Sequence, residues 1–363
     1  MEDRKNRFIL TPGDPPNDGI LFADHRPLGR SGHMGHALVE YAPGKLLAFY
    51  PNCSAEDTRW NGHSGYGWME YRRSLDAGRT WSSPIVEPNS KALFDSHVGK
   101  SQMCEKAVTA DDGTILLFYL TCDMVTNGHI WEPYFEPYYA FSRDGGETWS
   151  EEKRFTDQPG RIYDVVKKDG VIYVLFFENA ELPGVAHSEE HPYKLFVSRN
   201  NGESFEERAV IPFESTIGCL YGTMAFYEDG RLIVYIYDEH DEYNPKYIVS
   251  PDGGFTWQTN RRAFFPRKIR NPQLVHFDGV WFMHGRSGSF GKNTGHFILY
   301  SSPDAIHWDE GTFLRMATEG AGAYSNNLVV HDPAGKDRLL IQSSHAYDKN
   351  KTNTVMWWLD SKD

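Results

Sequence analysis

The sequence predicts an all-β chain folded as one six-bladed β-propeller, with the ring closed by a strand from the N-terminus. Three observations carry this. An eight-residue phrase recurs: SRDGGETW at Ser142–Trp149 and SPDGGFTW at Ser250–Trp257, with weaker copies SLDAGRTW at Ser74–Trp81, SRNNGESF at Ser198–Phe205 and the shortened SPDAIHW at Ser302–Trp308. Its opening serines stand 68, 56, 52 and 52 residues apart, a period near fifty that marks a propeller or a similar array. Two apolar runs joined by a turn precede each copy. Aromatic residues make up 14% of the 363, a composition that favours strands.

Taken in order, the hairpins read HALVEYAPGKLLAFY, KAVTADDGTILLFYL, VVKKDGVIYVLFF, TMAFYEDGRLIVYIY and PQLVHFDGVWFMHG. Four of these five turn on Asp-Gly, a strong hairpin signal. A sixth unit, NLVVHDPAGKDRLLIQSS followed by TNTVMWWLD, stops where its own phrase should begin. Its outer strand must come from elsewhere, and RFIL or GILFA near the start can supply it, which removes an exposed sheet edge. Residues 1–363 are therefore expected to form a single domain. Within the repeated phrase, Ser and Asp can bond turn backbone, the glycines allow positive φ, and the Trp packs beneath. That role is architectural, so the phrase's aspartates are set aside as catalysts, and Trp149 and Trp257 are expected to be buried.

A formal charge of −13 with no Lys/Arg run argues against nucleic acid or an anionic membrane as partner. No apolar stretch approaches 18 residues. The start, MEDRKNRFIL, lacks the layout of a signal peptide, so the expectation is a cytoplasmic protein, or an exported one whose leader is not part of this sequence. The four cysteines show no CxxC spacing and read as free thiols. No cofactor and no metal are expected. The histidines of HMGH (residues 33–36) fall on opposite faces of a strand, HSEEH (187–191) reads as a solvated loop, and DEHDEYN (238–244) is oxygen-rich without EF-hand spacing. The aromatic insertion NGHIWEPYFEPYY (127–139) reads equally as packing or as a stacking wall.

In a propeller the first strand of each blade lines the axis, and ligands meet the rim made before first strands and after second ones. The rim positions include His33 and His36; Glu105 and Lys106; Arg161, Tyr163 and Asp164; Tyr221; Arg270 and Asn271; Tyr324 and Asn326; and, after second strands, Asp57, Glu178, Asp238, His240 and Arg286. A polar and aromatic ring of this density points to a polar ligand, a carbohydrate foremost.

The phrase S-x-D-x-G-x-T-W resembles the Asp box of the sialidase (neuraminidase) superfamily, and the resemblance spans essentially the whole chain. It implies a sialidase-type propeller. Sialidases clamp a substrate carboxylate with three arginines, attack with a tyrosine activated by a glutamate, and use an aspartate as acid/base. A neutral phenol approaches an anionic sugar without charge repulsion. By this resemblance GAYSNNLVV places Tyr324 as nucleophile, Arg286 as one clamp arginine and Asp57 as acid/base, with Arg161 or Arg270 completing the grip. Glu105 and Glu178 are reserve carboxylates for two-carboxylate chemistry. His33, His36, Tyr163, Asp164, Tyr221, Asp238, His240 and Asn326 are expected to line the substrate. Two departures stand out. SGHMGHALV puts a histidine where the first-blade arginine belongs, and LYGTMAF…YIYDEHD shows neither the glutamate nor the arginine of the fourth blade. The expected function is an exo-acting glycoside hydrolase for a polar, anionic terminal sugar. The alternatives are a polysaccharide lyase, with Tyr163, Tyr324 or His36 as base, and a carbohydrate-binding propeller without catalysis.

Overall fold

In the computed structural model, residues 7–53, 66–123, 134–181, 188–287, 296–317, 322–348 and 351–362 are described. Six antiparallel sheets form the six blades. Blade 1 runs Leu38–Ala42, Lys45–Cys53, Gly67–Ser74 and Ile85–Val86, and blades 2 to 5 repeat the same four-strand order. Their first strands are Lys100–Thr109, Gly160–Lys168, Cys219–Phe226 and Arg270–Phe277. Blade 6 has three strands of its own, Ser325–Val330, Arg338–Asp348 and Lys351–Ser361. Both N-terminal runs complete it: Phe8–Thr11 pairs with the outer part of the last strand (Phe8 opposite Ser361) and Ile20–Ala23 with its inner part (Ile20 opposite Met356). Closure thus uses both candidates, one behind the other along the same strand.

The repeated phrase holds neighbouring blades together. In the second copy Ser142 Oγ donates to Asp144 (2.7 Å) and accepts from Gly146 N (2.8 Å). Asp144 Oδ1 then accepts the backbone N–H groups of Glu147 and Thr148. Gly146 has φ +82°, and a Cβ there would lie 2.5 Å from Leu47 of the preceding blade. Gly254 stands in the same relation to Leu195. Each box therefore seats its second glycine on the blade before it, where no side chain fits. The shortened fifth box lacks that glycine. Ala305 there takes φ +61° and its carbonyl accepts a bond from Tyr235 of blade 4.

Trp149 and Trp257 are half-buried, against the expectation of full burial. They lie at the margin of the core cluster; Trp149 meets Phe49 edge-on and its indole N–H donates to Tyr71. A box sits on the outer side of its blade, so its Trp covers the core from outside. The four cysteines are free and buried. Among the described residues no helix is long and apolar enough to cross a membrane, and no group of three or more His, Cys, Asp or Glu side chains gathers as a metal site would require.

Candidate active site

One structural device brings the rim residues to the axis. In blades 2 to 5 the register of the first strand against the second slips once: between Cys104 and Lys106, Ile162 and Asp164, Leu220 and Gly222, and Arg270 and Gln273. Each slip is a β-bulge, which turns the extra side chain out of the pleat. The residues so placed are Glu105, Tyr163, Tyr221 and Asn271. Tyr221 (φ +42°) and Asn271 (φ +50°) sit in the left-handed region, uncommon for residues other than Gly and frequent near functional sites. In blade 6, Tyr324 stands just ahead of the first strand. Its N–H donates to Ser344 Oγ (3.2 Å) and its carbonyl accepts from Ser344 N (3.0 Å). Blade 1 supplies His33 and His36 from the segment before Leu38. Glu105, Arg161, Tyr163, Tyr221, Asn271 and Tyr324 line one recess of about 40 Å³ on the axis, together with His36, Lys106 and Gln273.

Tyr324 is at the meeting point. Tyr221 donates a hydrogen bond to its phenolic oxygen (3.2 Å), the His33 ring meets its ring edge-on at 4.6 Å, and the Arg286 guanidinium lies 6.0 Å from its ring. Burial, reinforced by Tyr324, pushes the Tyr221 phenol well above its ordinary range. Tyr221 therefore keeps its proton, which leaves Tyr324 as the acceptor of the pair. Arg161 lies over the Tyr221 ring (4.7 Å) and bonds Glu105 Oε2 through Nε (3.1 Å) and Nη2 (2.6 Å). Arg270 donates to the Tyr237 hydroxyl (2.7 Å), and its Nε lies 3.2 Å from Glu242. Among the described residues Arg286 forms no ion pair, although it is buried.

Directly beneath, Lys106 closes the axis. Its Nζ reaches Asp164 (3.0 Å), Gln273 (2.5 Å) and Asn326 (2.9 Å), tying together blades 2, 3, 5 and 6. On its far side a cavity of about 460 Å³ opens toward the opposite face, lined by Val39, Val166, Leu328 and other first-strand residues.

Several expected ligand contacts are otherwise engaged. Asp164 accepts from Thr223 Oγ1, the Met224 N–H and the Val165 N–H besides facing Lys106, so it and Asn326 are parts of the plug. Asp238 accepts from Arg262 (2.9 Å) and from the His240 N–H, and so pins the blade 4 strands; the His240 side chain is largely exposed and does not line the recess. Glu178 is bound by Lys194 (2.5 Å) and is likewise absent from the lining. His36 cannot replace a cationic clamp. Burial lowers its pKa to about 4, and it serves as a prop, with Nε2–H toward the His33 carbonyl and Nδ1 accepting from Gln342. Arg161 and Arg270 are each held by a carboxylate. Asp57 lies outside the described residues. In DEHDEYN, Asp241 accepts from the Asn244 amide and Glu242 turns inward.

Sequence reasoning passed over Gln273, Tyr237 and Glu242. Tyr237 occupies the end of the fourth blade's second strand, where an arginine was sought, so the position was readable and its chemistry was not. Nothing in the sequence separates Glu242 from the solvated Asp241 beside it.

The fold and this axial constellation define a class: a six-bladed Asp-box propeller with a tyrosine-centred recess. The BNR/Asp-box repeat family matches residues 140–151. A curated sialidase from Paraclostridium sordellii is 25% identical over 250 residues, which cover 61% of this chain and 56% of that protein. A protein of unknown function from Dyadobacter fermentans superposes with a TM-score of 0.70 at 13% identity, over 97% of this chain and 100% of that one. The K499G mutant of NanB sialidase from Streptococcus pneumoniae gives a TM-score of 0.64 at 11% identity, over 99% of this chain and 72% of that one. The chain thus carries the BNR/Asp-box repeat on a six-bladed β-propeller of the sialidase type, and its match spans little more than half the length of its curated relative.

Proposed function

We propose that the chain is an exo-acting glycoside hydrolase of the sialidase superfamily that cleaves a polar, anionic terminal sugar. The observation that carries the reading is the position of Tyr324, on the axis between the Tyr221 hydroxyl, the His33 ring and the Arg286 guanidinium. Tyr324 Oη would attack the anomeric carbon as the bond to the leaving oxygen breaks, and its proton would pass to the His33 imidazole beside it. That oxygen would take a proton from Asp57, the acid that the family resemblance assigns. Water would then release the sugar from the tyrosyl intermediate, with Asp57 as base and His33 returning the proton to Tyr324. Arg161 pairs with Glu105, and Arg270 shares Glu242 with Lys268, whereas among the described residues Arg286 has no carboxylate partner. One unneutralised arginine supports binding of an anion, but with fewer charge-assisted bonds than three would give. Weak turnover of simple sialosides therefore follows, with preference for another acidic sugar.

The test is a panel of fluorogenic glycosides of hexoses, uronates and sialic acid. Release from at least one, abolished by Tyr324→Phe and weakened by Arg286→Ala, supports the reading. Release unaffected by Tyr324→Phe would refute it. One observation favours the lyase alternative: the partners of Tyr324 are a phenol and an imidazole, with no carboxylate bonded to it among the described residues. A tyrosine beside a histidine is suited to removing the proton next to a uronate carboxylate. Accumulation of an unsaturated, ultraviolet-absorbing product from uronate oligosaccharides would decide for elimination.

A further inference from the structure

The floor of the recess presents polar atoms that the protein itself leaves without partners. Glu105 spends one carboxylate oxygen, Oε2, on both Arg161 contacts; its Oε1 has no protein hydrogen-bond partner among the described residues, and neither has Arg161 Nη1. The amide of Asn271 is in the same condition at both Nδ2 and Oδ1. These groups are deep: the Arg161 side chain is 3% exposed, that of Glu105 10%, and Asn271 4%. They come from three blades and line one recess, and the bulges that aim Glu105 and Asn271 there interrupt otherwise regular strands. Buried polar atoms are nearly always paired, so a cluster of unpaired ones with complementary character calls for a ligand.

The geometry assigns this floor as a subsite for one uncharged, hydroxyl-bearing substituent of the sugar, with Asn271 as a specificity-determining residue. The assignment rests on the glycosidase reading above and specifies what its substrate presents to the axis. Charge decides against an anion here: Glu105 neutralises Arg161, and Lys106 in the same lining is neutralised by Asp164. A hydroxyl can donate to Glu105 Oε1 while accepting from Arg161 Nη1, and the Asn271 amide offers one more donor and one more acceptor. Size agrees. A site needs roughly 10–15 Å³ per water-sized group, so about 40 Å³ admits about three such groups. That is an exocyclic substituent such as hydroxymethyl, with the ring held above it at the rim beside Tyr324 and Arg286.

The probes are methyl galactoside, its 6-deoxy analogue and the corresponding methyl galacturonide, which present hydroxymethyl, methyl and carboxylate at one position. Binding to the full chain is measured by calorimetry. It is measured also in an Arg286→Ala background, so that a carboxylate held by Arg286 is not mistaken for one in the recess. In the Arg286→Ala protein the hydroxymethyl probe should bind at least several-fold more tightly than the other two. Glu105→Gln removes the carboxylate charge and uncovers that of Arg161, and should shift the preference about ten-fold toward the carboxylate. Asn271→Asp keeps the size and tolerates the left-handed backbone; it should weaken the hydroxymethyl probe about five- to ten-fold, and it serves if the Glu105 variant does not fold. Equal binding of the three probes, no binding of any, or a carboxylate preference in the Arg286→Ala protein would overturn the assignment. Because the readout is binding, a chain that cleaves no glycoside but keeps this order would fail the hydrolase reading and retain the subsite.

Discussion

Replacing Lys106 by Met tests whether the axis is closed by an electrostatic plug. The ammonium group is buried and holds Asp164, Gln273 and Asn326 at 3.0, 2.5 and 2.9 Å, so one side chain joins four of the six blades. Breaking a buried ion pair by removing one partner costs about 3–5 kcal/mol. Asp164 keeps three other donors, Thr223 Oγ1, Met224 N and Val165 N, which places the expected loss at the lower end, about 3 kcal/mol. For 363 residues an unfolding entropy of about 2.1 cal/mol/K per residue gives about 0.76 kcal/mol/K. A loss of about 3 kcal/mol therefore lowers Tm by about 4 °C. Scanning calorimetry at neutral pH reads this directly, with Lys167→Met, whose partner Asp111 is exposed, as the surface comparison. The double variant Lys106→Met/Asp164→Asn should recover part of the loss, because the stranded carboxylate is removed with its partner. A shift below 1 °C, or one no larger than that of Lys167→Met, would refute the plug.

Other consequences follow from the same geometry. Tyr221→Phe removes one neutral hydrogen bond of 3.2 Å, worth about 0.5–1.5 kcal/mol, and should lower kcat/KM on the best glycoside roughly two- to ten-fold; steady-state kinetics should show Tyr324→Phe to be orders of magnitude worse, and equal damage would mean that Tyr221 carries chemistry of its own. The Asp144 carboxylate is held at about 2 by bonds from Thr148 and Ser142. That contribution is complete above the unfolded value near 4 and is lost as pH falls toward 2, so the urea midpoint should drop across that window and Asp144→Asn should flatten the drop. Trp257→Ala, at a half-buried position, should cost about 2–3 kcal/mol, less than a fully buried aromatic, as read by urea unfolding. Deleting residues 1–23 bares the edge of Lys351–Ser361 and removes Phe8 from its core cluster; size-exclusion chromatography should show aggregation, and a monomer of unchanged Tm would mean that the ring does not need this closure.

The fold was legible because a propeller writes its architecture locally. Each Asp-Gly turn and each serine-aspartate box is satisfied within a few residues of itself, so the sequence shows the hairpin, the box and the missing strand without long-range information. The depth of the boxes was not legible. Period-2 burial patterns do not tell a Trp that fills a core from one that covers it, and Trp149 and Trp257 are of the second kind.

The site was readable as a set of positions more than as a set of roles. Tyr324 and Arg286 stood out because family motifs carry them. The partnership of Glu105 with Arg161 did not, since it joins two blades across 56 positions of chain and depends on the bulge at Glu105, a single-residue slip that no periodicity records. The pairings change the chemistry assigned to the residues. Arg161 and Arg270, read alone, are anion clamps; held by Glu105 and Glu242 their charges are offset, and among the described residues Arg286 is the one of the three without a carboxylate partner. Tyr221 stands where a carboxylate was sought, and as a phenol that keeps its proton it donates a hydrogen bond to Tyr324. A carboxylate in that place would accept the Tyr324 proton during attack. A phenol that donates to Tyr324 cannot, so the Tyr324 proton must pass during attack to the His33 imidazole against its ring. The pocket therefore suits a substrate whose leaving group departs early, and across a series of aryl glycosides the rate should fall steeply as the leaving phenol becomes more basic.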